Sequence, residues 1–413
     1  MEFSIIREIR DEVLGKLDLG TAVPDHVLYE RIEEAVLSHP SHGEFTASAK
    51  QQLVRRIFHS FRGLDILQPL IEDPAITEIM VNNHEEIFYE RGGEMYLYDS
   101  RFESKEKLED IIQTIVGRVN RVVNEASPIV DARLEDGSRV NVVLPPVALQ
   151  GPTMTIRKFP ETPLTMNDLV AGGMLTAEAA EMLRKLVIAK YNIFIGGGTG
   201  SGKTTFLNAL AEWIPRNERI ITIEDSAELQ IRTLPNLVRM ETRNANTEGK
   251  GEISMRDLIR TSLRMRPDRI IVGEVRGAEA FDMLAAMNTG HAGSLSTGHA
   301  NSSKDMLIRL ETMVLSGANL PLEVIRKQIC SAIDILVHLS KVRDRSRKVL
   351  EICELAGMNN GDYVLNPLFL FEEEDRSPDG KVTGKLKATG NRLLRREKWN
   401  MAGLHTEGSG DVC

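Results

Sequence analysis

Residues 192–206 read NIFIGGGTGSGKTTF, and what this stretch folds into decides the rest of the chain. Asn192 to Ile195 is a short apolar run rich in branched and aromatic side chains, the pattern of a buried strand. It stops at Gly196, Gly197 and Gly198, and a helical pattern runs on from Thr204 through Phe206, Leu207 and Leu210. Between the two lies G-x-x-x-x-G-K-T, with Gly197, Gly202, Lys203 and Thr204 at the fixed positions. Glycines let successive backbone N–H groups converge on one anion without Cβ obstruction, and a helix N-terminus adds partial positive charge. In that arrangement Gly197, Gly198, Thr199, Gly200, Ser201, Gly202, Lys203, Thr204 and Thr205 form a phosphate cradle. Lys203 reaches the β- and γ-phosphates, and the Thr204 hydroxyl is the candidate Mg²⁺ ligand. A chance match in a chain this long is roughly a one-in-a-hundred event, so nucleoside triphosphate binding is the expectation.

Working outward, helical segments alternate with the apolar runs YNIFIGG, RIITIED, NLVRMET, DRIIVGE, GSLSTGH and DILVHLS. This alternation predicts an α/β fold with a largely parallel sheet, its chemistry at the strand C-termini. Upstream, AITEIMVNN, EIFYERGGEMYLYD, the amphipathic KEKLEDIIQTIVGRVNRVV, a hairpin turning at Glu135–Ser138 and TMTIR predict a smaller α/β domain. The expected divisions are a helical extension over 1–60, the α/β N-terminal domain over 61–158, and a proline-bearing linker over 159–166. The P-loop domain follows over 167–350, with a hairpin or exposed tail over 351–413.

Composition narrows the function. The 413 residues are 42% hydrophobic and 27% charged with a formal net charge of −9, an ordinary globular balance. An acidic total and only 5% aromatic residues argue against a dedicated nucleic-acid binder. The three cysteines, Cys330, Cys353 and Cys413, lack metal-ligand spacing and read as unpaired thiols. No run of 18 apolar residues occurs, and the charged start MEFSIIREIRDEVLG has no apolar leader, so a cytoplasmic location is expected.

Charged groups at strand ends supply candidates for chemistry. RIIVGEVRG ends at Glu274, where a water-polarising base belongs. RIITIEDSAEL places Glu224 and Asp225 at another strand end, with Glu228 beyond; capping of a following helix is the alternative for Asp225 or Ser226. His291 and His299 bracket one short strand, and each is equally readable as a γ-phosphate sensor or a structural histidine. Arg139 and Arg157 lie before the linker, outside the P-loop domain. If they reach the nucleotide, hydrolysis would draw two domains together.

These stretches together resemble the type II/type IV secretion ATPase superfamily, and within it the CpaF-type ATPases of tight-adherence pili. GGGTGSGKTT resembles the Walker A loop, TIEDSAEL the Asp box, SLRMRPDRIIVGEVRGAEA the Walker B region and MNTGHAGSLSTGHANS the His box. ARLEDGSRVN and TIRKF are similar to the N-terminal arginine segments, and the likeness runs from about residue 60 to 355. It implies a RecA-like domain, a homo-hexameric ring, and ATP with Mg²⁺ as ligands. The implied partners are an integral-membrane platform protein and a pilin system, met at the inner face of the membrane. By the same resemblance Glu274 is the catalytic base, Glu224 an acid of the Asp box, His299 the His-box histidine, and Arg139 and Arg157 phosphate contacts. The family pattern places a β-branched or apolar residue where Gly298 stands, so a looser strand before His299 is expected. A RecA-type nucleic-acid translocase and a small-molecule kinase are the other readings of a P-loop with a strand-end glutamate.

Overall fold

The computed structural model describes residues 2–17, 23–119, 121–159, 162–245, 249–374 and 382–404. The chain divides into two compact units, Met1–Glu161 and Thr162–Cys413.

The first unit opens with α1 (Glu2–Lys16), α2 (Asp25–Ser38) and α3 (Ala47–Arg62). Apolar side chains at helical spacing, among them Ile5, Ile9, Leu28, Ile32, Val54 and Ile57, bury one stripe of each helix in a common core. A short α4 (Gln68–Glu72) leads into β1 (Ile76–Val81), β2 (Ile87–Arg91) and β3 (Glu94–Leu97). Then come α5 (Lys105–Arg118), β4 (Ile129–Arg133), β5 (Arg139–Val143) and β6 (Thr153–Arg157). The strands form an antiparallel sheet in the order β3-β2-β1-β6-β5-β4. α5 starts at Ser104, whose side chain accepts from the Lys107 N–H, and lays Leu108, Ile111, Ile112 and Ile115 onto Ile79, Val140, Val142 and Ile156. The hairpin between β4 and β5 turns through Gly137 at φ +91°, with Asp136 Oδ1 accepting from Ser138 N at 2.8 Å.

The second unit carries α6 (Met166–Ala171), α7 (Ala177–Ile188), β7 (Ile193–Gly197), α8 (Lys203–Ala211), β8 (Ile220–Glu224) and β9 (Leu237–Glu241). It continues with α9 (Met255–Ser262), β10 (Arg269–Val275), α10 (Glu279–Asn288), β11 (Leu295–Gly298), α11 (Ser303–Gly317) and α12 (Leu322–Ala332). The last elements are β12 (Ile335–Lys341), β13 (Arg347–Asn359), β14 (Asp362–Glu373), β15 (Gly384–Ala388) and α13 (Glu397–Met401). The sheet order is β15-β14-β13-β12-β7-β11-β10-β8-β9. From β12 to β9 every pairing is parallel, and β13, β14 and β15 add antiparallel strands at one side. Strand residues alternate between two cores. Ile193, Ile195, Ile271 and Val337 join one, while Phe194, Ile270, Val272 and Leu336 join the other. Burial on both faces explains why these segments read as continuous apolar runs.

The stretch set apart above as a tail behaves differently. β13 and β14 extend the sheet, and β14 pairs with β15 as the expected hairpin, its connection over 375–381 lying outside the described residues. Glu354 on β13 is fully buried because Asn366 Nδ2 and the backbone N–H groups of Leu394 and Arg395 satisfy its carboxylate at 2.6–2.9 Å. Trp399 then packs into the same core as β7. Cys413 lies outside the described residues, and among those described no helix is long and apolar enough to cross a membrane.

Candidate active site

Because β7, β8, β10 and β11 are parallel neighbours, their C-terminal ends emerge at one edge of the sheet. β7 delivers the loop 197–203. A Cβ on Gly197 would stand 2.5 Å from the Leu339 carbonyl oxygen and 2.6 Å from Ser201 Oγ, so only glycine fits there. Gly200 and Gly202 adopt left-handed φ of +71° and +94°, and a Cβ on Gly198 or Gly200 would meet nothing within 4 Å. The loop is thus folded tightly at its base and open at its crown. α8 begins at Lys203, with Thr204 and Thr205 half-buried in its first turn. This open crown over a helix N-terminus is the cradle that a phosphate group fits.

Lys203 is buried, its Nζ donating to the Gly197 and Gly198 carbonyls at 3.1 and 2.9 Å and lying 3.4 Å from Nδ1 of His299. His299 follows directly on β11. Burial, and the cations Lys203, Arg276 and Arg309, hold its pKa below 6.5 against the opposing pull of Glu274. The ring is therefore neutral at neutral pH. An ammonium can only donate, so Nδ1 is the acceptor and Nε2 carries the proton. Nε2 lies 2.6 Å from Oε1 of Glu274, an oxygen shielded from water that makes no directed hydrogen bond. The second Glu274 oxygen accepts from Arg276 Nη2 at 2.6 Å, and Arg276 Nη1 stands 3.9 Å from Asp225 Oδ2. Lys203, His299, Glu274, Arg276 and Asp225 thus form one continuous polar line along the sheet edge.

Glu224 ends β8 beside this line. Gly273 makes room for it, since a Cβ there would stand 2.8 Å from Glu224 Cγ. No helix follows β8, so the capping alternative for Asp225 and Ser226 does not apply. Instead Glu224 Oε1 accepts from the Glu228 and Leu229 backbone N–H groups at 2.8 and 2.9 Å. Its Oε2 is buried without a partner, and burial raises the pKa to about 7 despite those two bonds.

The two histidines part company. His291 precedes β11 at the opposite edge, its Nδ1 3.1 Å from the Ala286 carbonyl oxygen, while His299 reaches the loop. The strand before His299 is not loosened by Gly298. A Cβ there would stand 3.0 Å from Met306 Cε and 3.1 Å from Phe194 Cε1, so a larger side chain would press on both neighbours. Arg139 and Arg157 face each other in register across β5 and β6, with Arg133 next in line on β4. All three belong to the first unit. Sequence reasoning missed Arg276, two residues past Glu274, and Arg347, which donates to the Gly200 carbonyl across 147 positions of chain. The first could have been found from its place after the strand-end glutamate; the second has no local signal.

Among the described residues no three His, Cys, Asp or Glu side chains converge as a metal cage. Magnesium beside a triphosphate needs none, being held by phosphate oxygens, waters and one or two protein oxygens; the Thr204 hydroxyl, half-buried in the first turn of α8, is the oxygen that would serve.

A glycine cradle at the end of a central parallel strand, a buried lysine in it and a glutamate on the next strand but one define a P-loop nucleotide-binding protein of the RecA-like class. The model of the family described as "Type II/IV secretion system protein" matches residues 61–365, and the chain belongs to that family. A Mycobacterium tuberculosis protein named for conjugal transfer is 36% identical over 299 residues, covering 71% of this chain and 84% of that protein. The type IV secretion system protein VirB11 of Brucella suis biovar 1 is 34% identical over 303 residues, covering 67% of this chain and 84% of that one. Among solved structures, the pilus retraction motor PilT with bound ADP superposes with a TM-score of 0.52 at 18% identity, covering 83% and 87% of the two chains. The Legionella pneumophila ATPase DotB gives 0.51 at 23%, covering 70% and 79%. Those two likenesses concern the fold alone.

Proposed function

We propose that this chain is the ATP-hydrolysing motor of a secretion, conjugal-transfer or pilus-assembly system, with tight-adherence pilus assembly as the specific reading. The observation that carries it is the convergence of Lys203, His299 and Glu274 at the sheet edge where the phosphate loop opens. Residues 197–205 would bind the triphosphate, and the Thr204 hydroxyl would hold Mg²⁺, which would supply neutralisation of phosphate charge. Glu274 takes a proton from the attacking water through its carboxylate, and neutral His299 links Lys203 to that carboxylate. Glu224 keeps its loop in place and acts as the acid of the Asp box. The names of the relatives support export rather than small-molecule phosphorylation as the work done.

Coupling to movement needs more than one unit. Arg139 and Arg157 supply guanidinium groups from the first unit to the phosphates, and the assembly is a homo-hexamer acting against an integral-membrane platform from the cytoplasmic face. Lys203→Ala is expected to abolish ATP binding. Arg139→Ala and Arg157→Ala should each lower turnover while leaving thermal melting unchanged, and kinetics identical to the parent protein would remove them from the site. Light scattering with a non-hydrolysable ATP analogue tests the ring; a monomer at every concentration would exclude it.

A further inference from the structure

Arg347 opens β13, in the antiparallel part of the sheet, yet its side chain lies on the phosphate loop. β12 runs parallel to β7 with Leu339 opposite Gly197, so the turn joining β12 to β13 emerges at the same edge as the loop. There Arg347 Nε donates to the Gly200 carbonyl at 2.9 Å, and its Cδ is 3.4 Å from where a Gly202 Cβ would stand. The side chain therefore crosses the turn between Gly200 and Gly202, both in left-handed conformation. Arg347 is exposed, and among the described residues its Nη1 and Nη2 make no hydrogen bond or ion pair. Two other basic groups of this turn are engaged elsewhere. Arg343 pairs with Glu373, and Lys348 donates to the Gly173 carbonyl at 2.6 Å.

We propose that Arg347 is a nucleotide-binding residue: anchored to the loop through Nε, it turns Nη1 and Nη2 on the α- and β-phosphates of a nucleoside di- or triphosphate. The inference rests on the nucleotide reading of the loop. A guanidinium offers parallel donors for two phosphate oxygens, and one held by a backbone carbonyl loses little further freedom when an anion arrives. The backbone N–H groups of such a loop cradle the α- and β-phosphates, whereas Lys203 reaches towards the γ-phosphate. Arg347 thus sits on the side that ADP and ATP share. A contact common to both stabilises ground and transition states alike, so it shifts KM and leaves kcat in place.

The test titrates ADP and a non-hydrolysable ATP analogue into the full chain and into Arg347→Ala, Arg347→Gln and Arg347→Lys, with Lys203→Ala as control and melting curves to confirm folding. Glutamine still donates to the Gly200 carbonyl but carries no charge. R347A and R347Q should weaken ADP and the ATP analogue by the same factor, about tenfold or more. KM for ATP should rise in step at unchanged kcat, R347K, which keeps the charge without the fork, should recover only part of the loss, and the salt dependence of binding should flatten in R347Q. Parental affinity in R347Q beside weakened R347A would reduce Arg347 to a loop clamp. A loss confined to the ATP analogue, or a fall in kcat alone, would overturn the α/β assignment, and parental affinity in all three variants would overturn the proposal outright. If Lys203→Ala also bound nucleotide normally, the failure would lie in the reading of the loop itself.

Discussion

The two edges of the nine-stranded sheet are built on opposite terms. At the edge where the parallel strands begin, polar groups are buried and satisfied. Arg269, fully buried at the start of β10, holds Glu218 through two hydrogen bonds of 2.6 and 3.1 Å and the Val187 carbonyl through a third. Asn192 receives the N–H groups of Gly293 and Ser294, donates its amide to the Ala332 carbonyl, and gives its own N–H to Asp334. Lys398 and Arg395 lie 2.5 and 3.4 Å from the Asp334 carboxylate. At the edge where the same strands end, Glu224 Oε2 is shielded from water without a hydrogen-bond partner, and Glu274 Oε1, equally shielded, faces only the His299 ring nitrogen at 2.6 Å. One edge fixes the order of the strands. The other keeps unspent hydrogen-bonding capacity at the candidate site, as expected where groups must engage a ligand.

The largest effect should come from Glu274→Gln. Loss of a general base lowers turnover by about 10²–10⁴-fold, while ATP binding and melting temperature stay near the parent values. Steady-state hydrolysis beside nucleotide titration checks this, and retained turnover would show that the Glu274 carboxylate has no catalytic use. At the opposite edge Glu218→Gln should do the reverse. It leaves a guanidinium buried without a counter-charge, at a cost of about 3–5 kcal/mol, readable by urea unfolding of the chain. Protein that remains folded should bind ATP as before. Weakened nucleotide binding without loss of stability would contradict the division between the edges.

Much of this division was legible in the sequence. The loop 197–205, the six parallel strands and the carboxylates at 224 and 274 are local patterns, carried by residues adjacent in the chain. Three things were not. Strand direction alone separates His291 from His299, and two histidines eight positions apart give no hint of which reaches the loop. β13 hid because it buries Glu354 among Ile352, Cys353 and Leu355, and a charge at 0% exposure breaks the apolar run that marks a strand. The Arg269–Glu218 pair and the Arg347–Gly200 contact span 51 and 147 positions, so only the folded sheet brings their members together. Gly298 misled for a related reason: its fit against Met306 and Phe194 is a property of the packed face, invisible along the strand.

Glu224 gives the finest test, because its penalty depends on pH. Its folded pKa of about 7 lies above the ordinary 4.5, with burial as the chief cause and the Glu228 and Leu229 N–H groups opposing it. Between those values the folded chain retains a proton that the unfolded chain has released. Stability from this group is therefore full below about pH 4.5 and is lost as pH rises to about 7. Glu224→Gln keeps an oxygen for the two backbone N–H groups and removes the charge. It should match the parent at pH 4.5, gain on it through the window, and exceed it by up to about 3 kcal/mol above pH 7. Urea unfolding at four or five pH values would trace the curve. A constant gap at all pH values would mean that the carboxylate finds solvent or a cation after all, and the contrast between the two edges would then rest on Glu274 alone.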